Sequence, residues 1–258
     1  MYHLGPKVKT FIDGRTDMFL PEVLPEYISF GNLAYTGDDD YLKSFEKLVS
    51  KYQISYATLT NNRYTLSSRL SRVLEGSENW TLVFFDDTAR IYINRKGADE
   101  TVASEFALQA VTPFSKKIYR SGFRQEAFEE YQKMDRRAKS AVATNALGFM
   151  LLEDKKYDEA KKYFLEALQI SPSAAAPKMN LAELSAKDGD YKEAISLYRQ
   201  AIADEPDRGL AYLRLGQLII DSGGSGEEAK SIWEKGLQAT PDEDILAKIR
   251  KVLEENNH

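Results

Sequence analysis

From residue 141 onward the chain repeats itself every 34 residues, and this recurrence limits the fold more than any other feature. Ala160 returns as Ala194, Phe164 as Tyr198, Ala167 as Ala201 and Pro172 as Pro206. Gly148 is matched by Ala182, and Tyr157 by Tyr191. A third unit carries Leu215-Gly216, Ala229, Trp233, Gly236 and Pro241. Its second half comes one residue late, which fits an extra residue in the loop Ser222-Gly223-Gly224-Ser225-Gly226. Small residues let two antiparallel helices approach closely, the aromatic fills the wedge toward the next pair, and proline ends the second helix. A unit of this size cannot bury its apolar face alone and must stack on its neighbours.

Lys155-Lys156-Tyr157-Asp158-Glu159-Ala160 and Gly189-Asp190-Tyr191-Lys192-Glu193-Ala194 read as the turns between paired helices. The full units fall at about 141–174, 175–208 and 209–243. Upstream, Ser121-Gly122-Phe123-Arg124-Gln125-Glu126-Ala127 echoes the same turn, and Tyr131 follows like a repeat aromatic. Residues 101–138 are therefore expected to form a degenerate leading unit, with Pro113 breaking or starting a helix. Residues 242–256 are expected to form a polar-faced capping helix with Ile245, Ile249, Val252 and Leu253 turned inward.

A 34-residue period with small residues at the eighth and twentieth positions, an aromatic at the twenty-fourth and Pro at the thirty-second resembles the tetratricopeptide repeat. The resemblance implies a solenoid whose first helices line a concave surface suited to a protein or peptide partner. The residues expected along that groove are Asn145, Phe149 and Leu152, then Met179, Asn180, Glu183 and Lys187, then Leu213, Arg214, Gln217 and Ile220. Chaperone-binding members clamp a carboxylate with Lys and Asn in the first repeat, Asn in the second, and Lys and Arg in the third. Here Asn180 and Arg214 fit that pattern, while Asn145, Phe149 and Leu210 stand at the other three positions. Without those cations a free carboxylate is held weakly, so a chaperone adaptor is disfavoured.

The first part of the chain has a mixed pattern. Val8–Ile12 reads as a strand that ends at Asp13-Gly14, and Asp40–Tyr52 has helical spacing. Ile54–Leu59 is a second strand, Thr65–Leu74 a second helix, and Trp80–Phe85 with Ala89–Ile93 a hairpin. The order β-α-β-α-β-β gives a small α/β sheet domain over residues 1–97, ahead of an all-α solenoid over 98–258, an α+β chain overall. Phe106, Leu108 and Val111 in the connecting stretch have no fixed assignment to either half.

The stretch Val8-Lys9-Thr10-Phe11-Ile12-Asp13-Gly14-Arg15-Thr16-Asp17 and the hairpin Trp80-Thr81-Leu82-Val83-Phe84-Phe85-Asp86-Asp87-Thr88-Ala89-Arg90-Ile91-Tyr92 carry a second resemblance. Residues 4–96 are similar to the soluble C-terminal tails of bacterial multispanning membrane proteins of the GT-C glycosyltransferase type, which repeats of the same kind often follow. The likeness implies membrane spans upstream of Met1, a place on the extracytoplasmic face of the inner membrane, and catalysis, if any, in loops outside this chain. Asp13, Arg15 and Asp17 are then a candidate polar ligand site for a sugar or phosphate, against a structural reading in which Arg15 bridges the two carboxylates.

Composition narrows the chemistry. The 258 residues include no cysteine, and the only histidines are His3 and His258. Disulfides, thiolate zinc sites, Ser-His-Asp triads and histidine-rich metal sites are all excluded, and no cofactor is called for. A net charge of −5 argues against bulk nucleic-acid binding. No run approaches the roughly 18 apolar residues of a membrane span. Asp38-Asp39-Asp40 reads as a helix start favoured by the helix dipole, Asp86 and Asp87 as turn residues, and the sequon at Asn79-Trp80-Thr81 as coincidence. The expected function is a non-catalytic module that binds a protein or peptide, with a glycan as a further partner, on the tail of a membrane glycosyltransferase-like protein. The alternatives are a soluble cytoplasmic scaffold, or a sugar-acting enzyme that uses Asp13 and Asp17 as paired acids.

Overall fold

The computed structural model describes residues 38–52, 54–60, 66–86, 88–96, 100–111 and 122–256. The expected strand Val8–Ile12, the set Asp13, Arg15 and Asp17, and also Asp87 and Pro113 lie outside the described residues. The chain divides into two compact units between Glu130 and Tyr131.

In the first unit, α1 (Asp38–Tyr52) begins at the acidic triplet, followed by β1 (Tyr56–Thr60), α2 (Leu66–Glu75), β2 (Trp80–Phe85), β3 (Ala89–Asn94) and α3 (Glu100–Phe106). The strands form one antiparallel sheet in the order β1-β3-β2. The pairing of β2 with β3 shifts register between Leu82 and Phe84, a bulge that increases local twist. The hairpin closes on Asp86, whose Oδ1 accepts from the N–H and hydroxyl of Thr88, both at 2.7 Å, and from Ala89 N–H at 2.8 Å. Asn79 donates its amide to Glu46 Oε1 at 3.4 Å, and the Trp80 indole donates to the same oxygen at 3.2 Å.

Alternation along β3 gives two faces, and the buried one is polar. Arg90, Tyr92 and Asn94 are buried, whereas Ala89, Ile91 and Ile93 are only half-buried. Burying these side chains is tolerable because each makes at least one hydrogen bond, although Arg90 Nε is buried with none among the described residues. Arg90 Nη1 donates to Ser71 Oγ at 3.4 Å, Ser71 and Tyr92 share a 2.5 Å bond, and the Tyr92 hydroxyl reaches Glu75 at 3.1 Å. Asn94 donates to the Ile54 carbonyl at 3.2 Å. Burial, and then the nearby Glu75 carboxylate, push the Tyr92 phenol well above its ordinary pKa.

The connecting stretch belongs with the sheet. Helix α3 packs on β2, Leu108 donates its N–H to the Leu82 carbonyl at 2.8 Å, and Leu108 and Val111 are buried. The Glu130 carboxylate accepts from the backbone N–H groups of Gln109, Ala110 and Val111 at 2.8 to 3.2 Å. Glu130 lies on α4 (Arg124–Arg137), the helix within which the two units divide.

The second unit is a stack of helix pairs. These are α5 (Ala141–Glu153) with α6 (Tyr157–Ile170), α7 (Ala175–Lys187) with α8 (Tyr191–Asp204), and α9 (Gly209–Asp221) with α10 (Gly226–Ala239). Each second helix also packs on the next first helix, and α11 (Glu243–Glu255) closes the stack on α10 and α9. Ile249 is fully buried in α11, Leu246 is nearly so, and Ile245, Val252 and Leu253 flank them. Caps fix the helix starts: Ser140 accepts from Ala143 N–H, Asp190 from Glu193 N–H, and Asp242 from Asp244 and Ile245 N–H. Pro172, Pro206 and Pro241 stand just beyond the ends of α6, α8 and α10.

The repeated small residues are contact points between helices. A Cβ on Gly148 would lie 2.7 Å from the Phe164 ring, and one on Gly216 would lie 2.2 Å from Trp233 Nε1. Ala160, Ala167, Ala182, Ala194, Ala201 and Ala229 have no exposed surface. Gly189 and Gly223 adopt left-handed φ values of +82° and +77° at the ends of α7 and α9, while Lys155 holds the same place after α5 with φ 62°. That conformation suits glycine and strains a residue with a Cβ.

Candidate protein-binding groove

The first helices α5, α7 and α9 carry the expected groove residues, and these divide by burial. Leu152 and Met179 are buried in the packing between repeats. Asn145, Phe149, Asn180, Glu183 and Leu213 are half-buried, and Lys187, Arg214 and Gln217 are exposed. The groove therefore has an apolar floor that merges with the core, and its polar and charged groups stand above it.

Several of these groups meet. Asn180 donates its amide to Asn145 Oδ1 at 2.9 Å, which joins α7 to α5. Lys187 sits over the Tyr157 ring, 5.0 Å from its centroid, and Gln217 donates to Asp221 at 2.9 Å. Glu183 and Arg214, on adjacent first helices, make no side-chain ion pair or hydrogen bond among the described residues. Both act on Tyr198. Burial pushes this phenol up to about 12; the Glu183 carboxylate adds to the rise, and the Arg214 guanidinium opposes it.

Away from the groove, charged pairs tie the pairs of helices together. Lys178 pairs with Asp204, Arg199 with Glu228 at 2.8 Å, and Lys139 with both Glu166 and Asp135. Glu205 accepts from Ala175 N–H at 3.0 Å, which places a carboxylate at the start of α7, where the helix dipole favours it. Position by position, Thr240 takes the corresponding place at Gly209 in the next repeat, and its side chain fills the space a Cβ on that glycine would need.

The sequence pattern assigns the expected groove residues to α5, α7 and α9, and it does not single out Tyr198. The repeat period assigns that position to packing; the available signal was its hydroxyl, since Phe164 has no polar atom there. No helix among the described residues is long and apolar enough to cross a membrane.

Comparison with known proteins agrees with the repeat geometry. Two models described as tetratricopeptide repeat match residues 139–204 and 185–252. "Small glutamine-rich tetratricopeptide repeat-containing protein 2" of Mycosarcoma maydis is 29% identical over 108 residues, covering 42% of this chain and 30% of that protein. "Photosystem I assembly protein Ycf3" of Prochlorococcus marinus (strain NATL2A) is 24% identical over 132 residues, covering 45% of this chain and 76% of that protein. Among solved structures, that of MamA aligns with 53% of this chain and 88% of its own, at 16% identity and a TM-score of 0.40. Residues 139–252 of this chain are tetratricopeptide repeats.

Proposed function

We propose that the repeats of this chain form a non-catalytic protein-interaction module that captures an extended partner segment along α5, α7 and α9. Repeats of this kind mediate protein–protein interaction and assembly, and the chain's own surface adds the particular reason. Glu183, half-buried on α7, and Arg214, exposed on α9, stand on neighbouring first helices, and neither makes an ion pair among the described residues. Charges placed on a concave face and left without an internal partner are suited to an external one. Phe149 supplies half-buried apolar contact beside them.

The setting is a separate proposal. The likeness of residues 4–96 to tails of GT-C-type membrane proteins favours an extracytoplasmic module attached to a membrane protein. A soluble cytoplasmic scaffold is equally consistent with the repeats. The residues offered for a sugar, Asp13, Arg15 and Asp17, lie outside the described residues, and the groove needs no glycan to carry the reading.

The test is selection from a phage-displayed library of random linear peptides on the full chain, followed by binding measurements with Phe149→Ala and Arg214→Glu. Both side chains lie at the surface or half-exposed, so both variants should keep the wild-type helical circular dichroism. Selected peptides should lose at least about tenfold in affinity with each variant. Peptides that bind both variants as well as wild type would place recognition outside the groove.

A further inference from the structure

A cavity of about 510 Å³ opens in the first unit, between the end of α2, the start of β2 and the stretch that follows α3. Small-molecule sites typically measure about 300–1,000 Å³. Trp80, Leu82, Leu108 and Val111, all buried, make its apolar wall, and Glu75, Glu78 and Arg95 also line it. The backbone fixes where those charges stand. Ser77 N–H donates to the Leu74 carbonyl at 3.1 Å and Trp80 N–H to the Ser77 carbonyl at 3.4 Å, a tight turn that carries both glutamates. Arg95 N–H donates to the Asn79 carbonyl at 2.7 Å, so Arg95 leaves β3 beside Glu78. The three charges therefore share one end of the cavity. Leu108 N–H bonds the Leu82 carbonyl at 2.8 Å, which lays the apolar stretch against β2 farther along the strand.

Glu75 is the most firmly positioned of the three. It is half-buried and accepts from the Tyr92 hydroxyl at 3.1 Å. Tyr92 has no exposed surface and is held in turn by Ser71 at 2.5 Å. One bond of this kind orients a carboxylate and uses only part of its capacity, about four acceptor sites. Glu78 and Arg95 are exposed, and they make no ion pair among the described residues, with each other or elsewhere.

These groups define a ligand. A lone cation would meet the Arg95 guanidinium, and a lone anion would meet two carboxylates. A molecule with an ammonium and a carboxylate on one carbon answers both signs with charge-assisted bonds, and the apolar wall takes the rest of it. We propose that this cavity binds a free α-amino acid with an apolar side chain. Its ammonium lies on Glu75 and Glu78, its carboxylate on Arg95, and its side chain against Leu82, Leu108 and Val111. A residue inside a peptide chain does not replace it, because both charged groups are then lost to amide bonds.

The probe is L-leucine, titrated into the full chain by calorimetry and followed at the indole N–H resonance of Trp80. That ring lines the cavity, and its N–H is fixed on Glu46 at 3.2 Å. The indole of Trp233, buried in the repeats, is the internal control. L-Leucine should bind one site, shift the Trp80 resonance and leave that of Trp233 in place. Isopentylamine, which is leucine without its carboxylate, and isocaproate, which is leucine without its amine, should each bind at least about tenfold more weakly. Arg95→Gln should weaken L-leucine about tenfold and bind isopentylamine no more weakly than wild type does. Glu75→Gln keeps an oxygen for Tyr92; it should weaken L-leucine by a similar factor and bind isocaproate no more weakly. Arg95 is exposed, so its variant should keep the fold and decides the matter alone if Glu75→Gln disturbs the sheet. A Trp80 resonance that stays in place up to the solubility of L-leucine would overturn the site. Isopentylamine or isocaproate binding as tightly as L-leucine would overturn the zwitterion. An Arg95→Gln protein that binds L-leucine like wild type would do the same.

Discussion

Adding one methyl group at Gly216 tests the packing logic of the whole stack. The new Cβ would lie 2.2 Å from Trp233 Nε1, 2.5 Å from Cε2 and 2.7 Å from Cδ1, so the indole must move. Trp233 is 1% exposed, and its N–H is committed to the Leu213 carbonyl at 3.1 Å. Overpacking of this kind costs about 1–3 kcal/mol. Displacing the indole also endangers a buried hydrogen bond, worth about 1–3 kcal/mol if its donor is left unsatisfied. Against this, alanine gains up to about 1 kcal/mol over glycine within a helix. The net expectation is a loss of about 2 kcal/mol. The second repeat supplies the control, because there Ala182 and Tyr198 occupy the same two positions and both are buried. Trp233→Tyr alone should lose about 1–3 kcal/mol by opening a void. The double variant Gly216→Ala with Trp233→Tyr reproduces the second repeat's pair, and it should be more stable than the sum of the single effects by at least about 1 kcal/mol. Urea unfolding followed by far-ultraviolet circular dichroism, with slopes compared across the four proteins, measures this coupling. A Gly216→Ala protein as stable as wild type, or a cycle additive to within about 0.5 kcal/mol, would refute the close-approach account of the repeat.

Lys155 holds a left-handed backbone where the next two repeats carry glycine, so Lys155→Gly should raise stability by several tenths to about 1 kcal/mol, after the added freedom of the unfolded chain is subtracted. An unchanged or lowered urea midpoint would show that the turn is not strained. The Tyr198 phenol is pushed up to about 12 in the folded chain from an ordinary value near 10, so the fold binds the phenolic proton more tightly than the unfolded chain does. Its contribution is fully present below pH 10 and is lost as pH rises from about 10 toward 12, by roughly 2–3 kcal/mol at the end of that window. Tyr198→Phe should flatten that part of the alkaline stability curve, and a curve of unchanged slope would refute the assignment.

Much of the second unit was legible because a repeat reports the same physical demand three times. Gly148 opposite Phe164 and Gly216 opposite Trp233 follow from spacing, since only a small residue admits a ring at that distance. The strain at Lys155 is visible in the same way, by setting Lys155 beside Gly189 and Gly223. The helices that carry the expected groove residues were legible, but which of those residues the core would claim was not. Leu152 and Met179 sit on the seam where the concave face meets the core, and helical spacing does not separate the two. In the first unit the spans of α1, α2 and the hairpin followed from apolar spacing, and that of α3 did not. Alternation along β3 announced two faces, but it did not say that Arg90, Tyr92 and Asn94 were the buried ones. That choice depends on Ser71, Glu75 and Ile54, which are distant in sequence and supply the bonds.

The inward polar side of β3 also bears on how the sheet finds its register. A slip of one residue would turn Ile91 and Ile93 inward and bury more hydrocarbon, so apolar collapse alone favours the wrong pairing. The native pairing wins only once Ser71 and Glu75 of α2 stand over the strand to receive Arg90 and Tyr92. The native register of β3 and the docked position of α2 are therefore specified by the same hydrogen bonds, and a change that removes them loosens both.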